Sequence, residues 1–229
     1  MDKTHFERLF SAGRLARFYQ AARQDVAEAS ALYAANIQLS ESLYPCLAVV
    51  EVALRNALHR QLTYLCRSPD WYQQLSHYDR VLADIQPELD KAEKYIRDRR
   101  ETISADKVVA ELTFGFWSSL FNRAYELVLW KQLRLAFPHL PKPDRQRATV
   151  SATINAVRHF RNRVYHHEPV SWRLPQLWQQ YEQVCALVGW LDPQLLTWLQ
   201  PINRFPAVWQ AEHERRTRVA ASPSNNAPL

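Results

Sequence analysis

The sequence predicts an all-α fold, and three observations lead to that prediction. Apolar residues recur at steps of three and four along most of the chain, which is the spacing of one helix face. No run of alternating β-branched residues lies between Asn-Gly or Asp-Gly turns, so hairpin signals are missing. Only 3 glycines occur in 229 residues, without a Gly-x-Gly-x-x-Gly or Walker-type motif. We therefore expect a helical bundle with long central helices, and no nucleotide-binding loop.

The N-terminal part predicts short helices followed by a long one. Thr4 to Glu7 has the form of a capping box, so a helix is expected to start there, and Gly13 is expected to end it. Two further helices carry apolar residues through to Ile37. Pro45 then lies at the start of a long apolar stripe, which predicts a central core helix. The residues of the stripe are Leu43, Leu47, Val50, Leu54, Leu58, Leu62 and Leu65.

The middle of the chain predicts shorter helices. A turn at residues 68–70 precedes a helix between residues 78 and 100, which Pro87 interrupts. Ser104 can cap the next helix, and an aromatic-rich segment follows at residues 112–121. Its aromatic side chains are expected in the core.

The C-terminal part predicts two more helices and a tail. Apolar spacing predicts helices at residues 177–191 and 195–199, separated by an Asp-Pro pair. Residues 209–220 are polar and basic, and the composition of residues 222–229 predicts a disordered tail. Neither an internal repeat nor a linker is evident. We expect a single domain over residues 1–221.

Charge and cysteine content suggest a partner and a compartment. The chain carries 29 Lys and Arg against 23 Asp and Glu, a net charge of +6 that favours a polyanionic partner. Cys46, Cys66 and Cys185 are widely spaced, as free thiols in a reducing cytosol would be. No signal sequence is evident, and no window approaches the apolar length needed to span a bilayer. We expect a cytoplasmic protein with no membrane partner.

The segment with the most chemical content is a predicted helix from about Thr149 to His167. Asp144 upstream is a candidate cap, and Pro169 downstream would stop the helix. Its apolar flank consists of Val150, Ile154, Val157, Phe160 and Val164. The opposite band consists of Asn155, His159, Asn162 and His166. Because Asn and His are poorer helix formers than Lys and Glu, this band suggests a face that contacts a ligand.

Arg161 lies nearer the apolar flank than the polar band. Its guanidinium either reaches outward or is buried against a carboxylate or a phosphate. Glu51 in the central helix is one candidate partner, but Glu51 can equally pair with Arg55 four residues later. The sequence leaves both pairings open.

Four segments, taken together, resemble a known family. They are Glu51-Val-Ala-Leu-Arg55-Asn56, residues 112–117, residues 160–169 and residues 189–193. In this order they resemble the Abi-like family of bacterial abortive-infection proteins, of the AbiD/AbiF kind. That family is similar to the HEPN superfamily, whose motif is Arg, a polar residue, three variable residues and His. The corresponding residues here are Arg161, Asn162 and His166.

The resemblance implies an all-α HEPN-like fold and a metal-independent endoribonuclease of an anti-phage or toxin system. It implies RNA as substrate, no cofactor, and a homodimer with a composite active site. An antitoxin or regulatory RNA is a further expected partner. The expected catalytic residues are Arg161, Asn162 and His166, and the auxiliary candidates are His167, His159, Glu51, Arg55 and Asn56.

These residue types suit RNA cleavage through the 2′-OH. Histidine can act as acid or base near neutral pH, and arginine offers a planar fork to phosphate oxygens. One His supplies only half of an acid and base pair, and a two-fold dimer would supply the other half. If the helical spacing is continued through residue 167, His166 lies one turn after Asn162, on the same face. His167 then lies about 100° around the helix from His166. This favours His166 as the functional imidazole.

A metal centre is the competing interpretation of the histidines. His159 and His166 are seven residues apart, about 10.5 Å along a helix, which is too far to share one ion. We therefore expect no metal.

Two other functions remain open from the sequence. The chain can be a non-catalytic RNA-binding or RNA-sensing protein that keeps the fold and the basic surface. It can also be a structural dimerisation module in which Arg161 and Glu51 form a buried pair.

Overall fold

The computed structural model describes residues 2–221, and this part of the chain is mainly helical and contains no strand. The all-α prediction is confirmed. The α-helices are α1 (Lys3–Phe10), α2 (Ala12–Ala21), α3 (Val26–Ser42), α4 (Tyr44–Cys66), α5 (Leu75–Tyr78), α6 (Gln86–Asp98), α7 (Ala105–Glu111), α8 (Phe114–Ser119), α9 (Lys131–Leu133), α10 (Arg147–Tyr165), α11 (Leu174–Leu191), α12 (Pro193–Leu199) and α13 (Phe205–Ala221). Short 3₁₀ helices occupy Trp71–Gln73, Arg80–Ile85, Arg123–Tyr125, Arg134–Ala136 and Lys142–Asp144, and a π-helix occupies Glu126–Trp130.

The contacts between Cα atoms divide the chain into two compact units. The first contains residues 2–44, 163–179 and 202–221, and the second contains residues 45–162 and 180–201. The single domain over residues 1–221 stays a prediction. The predicted disordered tail, residues 222–229, lies outside the described residues.

The first unit is built on an aromatic core. Helices α1, α2 and α3 bury Phe6, Leu15, Phe18, Tyr19, Ala22, Ala29 and Leu32 together. Trp172, from the segment that follows α10, packs on this cluster with its ring 4.6 Å from that of Phe18. Helix α13 joins the unit through contacts with α3. Its Trp209 donates a hydrogen bond of 2.9 Å to the carbonyl of Leu174.

The second unit contains most of the long helix α4. Large aromatic residues fill its core: the ring of Trp71 lies 6.2 Å from Phe116 and 5.9 Å from Trp117. The indole N–H of Trp71 donates to Nδ1 of His59 on α4 (2.8 Å). Burial lowers the pKa of His59, consistent with a neutral ring that accepts this bond. The aromatic segment is thus core, as the sequence predicts.

The first helix boundaries differ from the predicted ones. Asp2, not Thr4, caps α1, because its carboxylate accepts the N–H of His5 at 2.9 Å. The break after α1 falls at Ser11, which has φ of 66° and caps α2, so Gly13 lies inside α2 instead of ending α1. Side-chain capping decided both boundaries, and the glycine did not.

One stretch corrects the expectation about apolar length. Residues Val26–Cys66 have an 18-residue window with a mean hydropathy of 1.3, long and apolar enough to cross a membrane by composition alone. Within this stretch Leu47, Val50 and Leu58 are fully buried, and 39% of the apolar window is buried in the protein. A core helix produces the same composition, so this finding is weak evidence for a membrane span.

Candidate functional site

Helix α10 carries the predicted apolar flank and the predicted polar band on different sides. The flank is buried at all of its positions: Val150, Ile154, Val157, Phe160 and Val164. In the band, His159 and His166 are exposed, whereas Asn155 and Asn162 are half-buried. Both predicted faces are confirmed, and the polar band is accessible to solvent.

Arg161 is held by Glu51 in a two-point ion pair. Its Nε donates to Oε2 at 3.0 Å and its Nη2 donates to Oε1 at 3.2 Å. The Nη1 group donates to the side-chain oxygen of Asn162 at 3.3 Å. The side chains of Arg161 and Glu51 are 26% and 24% exposed, so the pair is only partly screened by solvent. Of the two pairings left open by the sequence, the structure has Glu51 with Arg161.

Arg55 and Asn56 lie one turn further along α4. Asn56 is exposed, and Arg55 is half-buried. The Nε of Arg55 is buried and has no hydrogen-bond partner in the described part of the chain. A buried donor without a partner is costly.

Helix α10 ends in a left-handed turn, two residues before the predicted end at His167. The N–H of His167 donates to the carbonyl of Val164 at 3.1 Å. The N–H of Glu168 donates to the carbonyl of Arg163 at 2.9 Å, which completes a Schellman cap. His167 has φ of 57°, in the position where glycine is usual. His166 is the residue just before the reversal, and both imidazoles are exposed.

The strained backbone of His167 leads to a stability prediction. Glycine takes this conformation without a Cβ clash, although it also gains entropy in the unfolded chain. His167→Gly is therefore expected to raise the free energy of unfolding by about 0.5–1 kcal/mol. Urea unfolding of the variant and parent measures the difference. A less stable variant would show that the His167 side chain has contacts that outweigh the strain.

Arginines fix the backbone that follows the motif helix. Arg14 of α2 donates through Nη1 to the carbonyl of His167 (2.8 Å). Arg163, in the last turn of α10, donates through Nη2 to the carbonyl of Pro169 (2.7 Å). Both bonds are charge-assisted and therefore stronger than neutral ones. They hold the turn that carries the two histidines.

Two further side chains extend this anchoring. The buried Asn36 of α3 accepts the N–H groups of Val170 (2.8 Å) and Ser171 (3.2 Å) through its side-chain oxygen. Arg216 of α13 donates through Nη1 to the carbonyl of Ser171 at 2.8 Å. A segment without regular structure is thus fixed from two helices of the first unit. This rigidity is what a precise site requires.

Glu212 is the carboxylate behind Arg216. It is 6% exposed and accepts hydrogen bonds from Arg215, at 2.8 and 3.1 Å, and from Arg216. Arg215 also pairs with Glu28 at 3.0 Å. Burial raises the pKa of Glu212, but the hydrogen bonds from the two arginines outweigh it, so the pKa lies below its usual value.

The low pKa of Glu212 leads to a pH-dependent prediction. A carboxyl whose pKa is depressed in the folded state stabilises the protein above its unfolded pKa, about 4.3, and loses that effect as pH falls through the folded value. Glu212→Gln is expected to cost about 1–3 kcal/mol at pH 7. The difference from the parent should shrink below about pH 4, as measured by urea unfolding across pH. A difference independent of pH would contradict the ion pairing.

His159, the other histidine of the polar band, lies next to an arginine. His159 is exposed, and its Nε2 lies 3.2 Å from Nη2 of Arg158. Within residues 2–221, no group of three or more His, Cys, Asp or Glu side chains lies close enough together to hold a metal ion.

The structure distributes the candidate residues as follows. It brings together Arg161, Asn162 and Glu51 within the second unit. His166 and His167 belong to the first unit, at the end of the same continuous helix. Sequence reasoning missed the residues that anchor the segment after the helix, namely Arg14, Asn36, Arg163 and Arg216. The only sequence signal was a polar Asn36 on an otherwise apolar helix face.

The fold and site define an all-α protein with an Arg-Asn-x₃-His motif across the end of a long helix. The family model described as Abi-like protein matches residues 4–172, about three quarters of the chain. The chain therefore belongs to the Abi-like family, which suggests a role in abortive infection and phage resistance. Comparison with curated proteins finds no match, and neither does comparison with solved structures.

Proposed function

We propose that this protein is a metal-independent endoribonuclease of a bacterial abortive-infection system, with a HEPN-type motif formed by Arg161, Asn162 and His166. The observation that carries the proposal is the exposed His166, in the motif spacing, on a turn that several charged hydrogen bonds hold in place. The family membership of the chain provides the biological setting.

In this proposal His166 performs the proton transfer. As a base, the imidazole takes the proton of the RNA 2′-OH, whose oxygen then attacks the adjacent phosphorus. As an acid, an imidazole gives a proton to the leaving 5′ oxygen, and the product ends in a 2′,3′-cyclic phosphate. Histidine titrates in the pH range that both steps require.

Arg161 and Asn162 provide the electrostatic part of the reaction. Glu51 holds the Nε and Nη2 side of Arg161, so the orientation of the guanidinium is set before RNA binds. Asn162 accepts a hydrogen bond from Nη1 through its side-chain oxygen. In this role the amide N–H groups of Asn162 would donate to a phosphate oxygen.

A homodimer completes the chemistry. One chain contributes one His166, whereas general acid and general base act on opposite sides of the phosphorus. A two-fold dimer places two equivalent motifs on one axis and so supplies the second imidazole. Light scattering should then give twice the chain mass of 26.9 kDa. An antitoxin or regulatory RNA is the class of partner that would hold such an activity in check.

The test is cleavage of tRNA and total RNA by purified protein, in excess EDTA and in excess Mg²⁺. The proposal expects similar rates in both, because no step uses a metal. Cleavage that EDTA abolishes would contradict it.

A second candidate function is binding or sensing of RNA without cleavage. The observation that favours it is the two-point pair, because Glu51 occupies the fork of Arg161 that would otherwise take two phosphate oxygens. This candidate expects RNA affinity that falls steeply with salt and no cleavage product in either buffer.

A further inference from the structure

A cavity lies in the first unit, beside the end of α10. Its volume is about 340 Å³. Its walls come from α2, α3, the first residue of α4, the last turn of α10 and the residue after the motif histidine. The residues that define its chemistry are Arg14, Tyr33, Glu41, Tyr44, Tyr165 and His167. The carboxylate of Glu41 is paired with Arg204, so its negative charge is partly offset. The size is at the low end of small-molecule sites and fits one flat ring system with its sugar.

The lining of this cavity suits an aromatic heterocycle. Tyr33, Tyr44 and Tyr165 contribute three rings, and those of Tyr44 and Tyr165 lie 6.2 Å apart at 52°. Tyr44 is 59% exposed, so its ring is accessible for stacking at the mouth. These stacking surfaces match the aromatic face of a base.

The charge at the rim relates the cavity to the motif. Arg14 lines the cavity and donates to the carbonyl of His167, which lines it as well. A base inside the cavity would therefore have its sugar and phosphate next to the turn of His166 and His167, with the positive charge of Arg14 at hand. Single-stranded RNA is recognised in this way, with bases stacked on aromatic side chains and the backbone along positive charge.

We infer that this cavity binds one unpaired nucleobase of the RNA, next to the phosphate that His166 acts on. The inference rests on the proposed function, because it takes the substrate to be single-stranded RNA. The cavity would then act as a specificity subsite beside the motif. The base that it binds would determine which RNA phosphate lies next to His166.

The experiment measures binding of fluorescein-labelled octaadenylate and octauridylate by anisotropy, with His166→Ala in every protein so that RNA stays intact. Tyr44→Leu keeps an apolar side chain but removes the ring, and is expected to weaken binding of the better oligomer about tenfold. Tyr44→Phe should bind like the parent. The matched control is Tyr64→Leu, at a 70% exposed tyrosine of α4 that does not line the cavity, and it should have no effect. Thermal unfolding verifies that each variant folds.

Two further arms identify the ligand. An octamer of abasic ribose phosphate should bind the parent about tenfold more weakly than the better oligomer does. Because it has no base to stack, its affinity should be the same for Tyr44→Leu as for the parent. Adenosine and uridine monophosphates should compete only at concentrations far above the Kd of the octamers. Competition at the Kd of the octamers would make the cavity a free-nucleotide site and overturn the inference.

The failures of the two proposals are distinguishable. If the octamers bind but Tyr44→Leu and Tyr64→Leu have equal affinity, the inference is wrong, whatever the outcome of the tRNA cleavage assay. If neither octamer binds but the unmodified protein cleaves tRNA in EDTA, the inference is wrong and the proposed function stands. If the octamers bind as expected but no RNA is cleaved, the proposed function is wrong and the cavity remains a base-binding site.

Discussion

His166→Ala is expected to lower the rate of RNA cleavage by about 10²–10⁴-fold while the protein folds normally. The physical reason is that His166 is exposed just after the end of α10, so its removal is expected to cost little packing. Single-turnover rates on a tRNA substrate measure the loss. Helical circular dichroism and the Tm should remain those of the parent.

Two further histidine substitutions make this result specific. His77→Ala removes another exposed histidine, in α5, and should leave the rate unchanged. His167→Ala should lose less than His166→Ala, because His167 contributes mainly through its backbone carbonyl, which the variant retains. A larger loss at His167 would transfer the catalytic role to that imidazole. Equal rates for His166→Ala and the parent would exclude the mechanism.

The second large effect is expected at the pair between Arg161 and Glu51. Removing one partner of a fully buried pair costs about 3–5 kcal/mol, and solvent screening reduces that for a pair about a quarter exposed. Arg161→Ala and Glu51→Ala are each expected to lower the free energy of unfolding by about 1–3 kcal/mol. The double variant should lose less than the sum, because neither charge is then left alone. Arg97→Gln, at an arginine that is 59% exposed, should cost less than about 0.5 kcal/mol.

The same variants separate a structural from a functional role of Arg161. If the pair only joins α4 to α10, the double variant should recover cleavage together with stability. We expect it to recover part of the stability and none of the cleavage, because the proposed mechanism then lacks its phosphorane-stabilising cation. Full recovery of cleavage would contradict the proposed role.

The faces of α10 were predictable from the sequence because its five apolar positions repeat with the helical period, and burial follows that period directly. The ion-pair partner of Glu51 could not be predicted from the sequence. Arg55 lies one turn away on the same helix, whereas Arg161 is 110 residues later, and only tertiary placement decides between them. Local spacing gives the candidates for a pair but not the pair that forms.

The end of α10 shows a second limit. Pro169 correctly indicated that the helix stops, but the left-handed residue is His167, where sequence rules expect glycine. The turn is held instead by Arg14 and Asn36, more than 130 residues away in the chain. Such long-range anchors leave no local pattern, so the geometry around the motif could not be predicted.

The most direct test of the central claim compares two RNA oligomers with the same sequence, one all-ribose and one with a single 2′-deoxy nucleotide at the mapped cleavage position. Both are incubated with the protein in excess EDTA, and the product ends are analysed by mass spectrometry. The account predicts that only the all-ribose oligomer is cut there, leaving a 2′,3′-cyclic phosphate. Equal cleavage of both oligomers, or a 3′-hydroxyl end, would contradict transesterification through the 2′-OH.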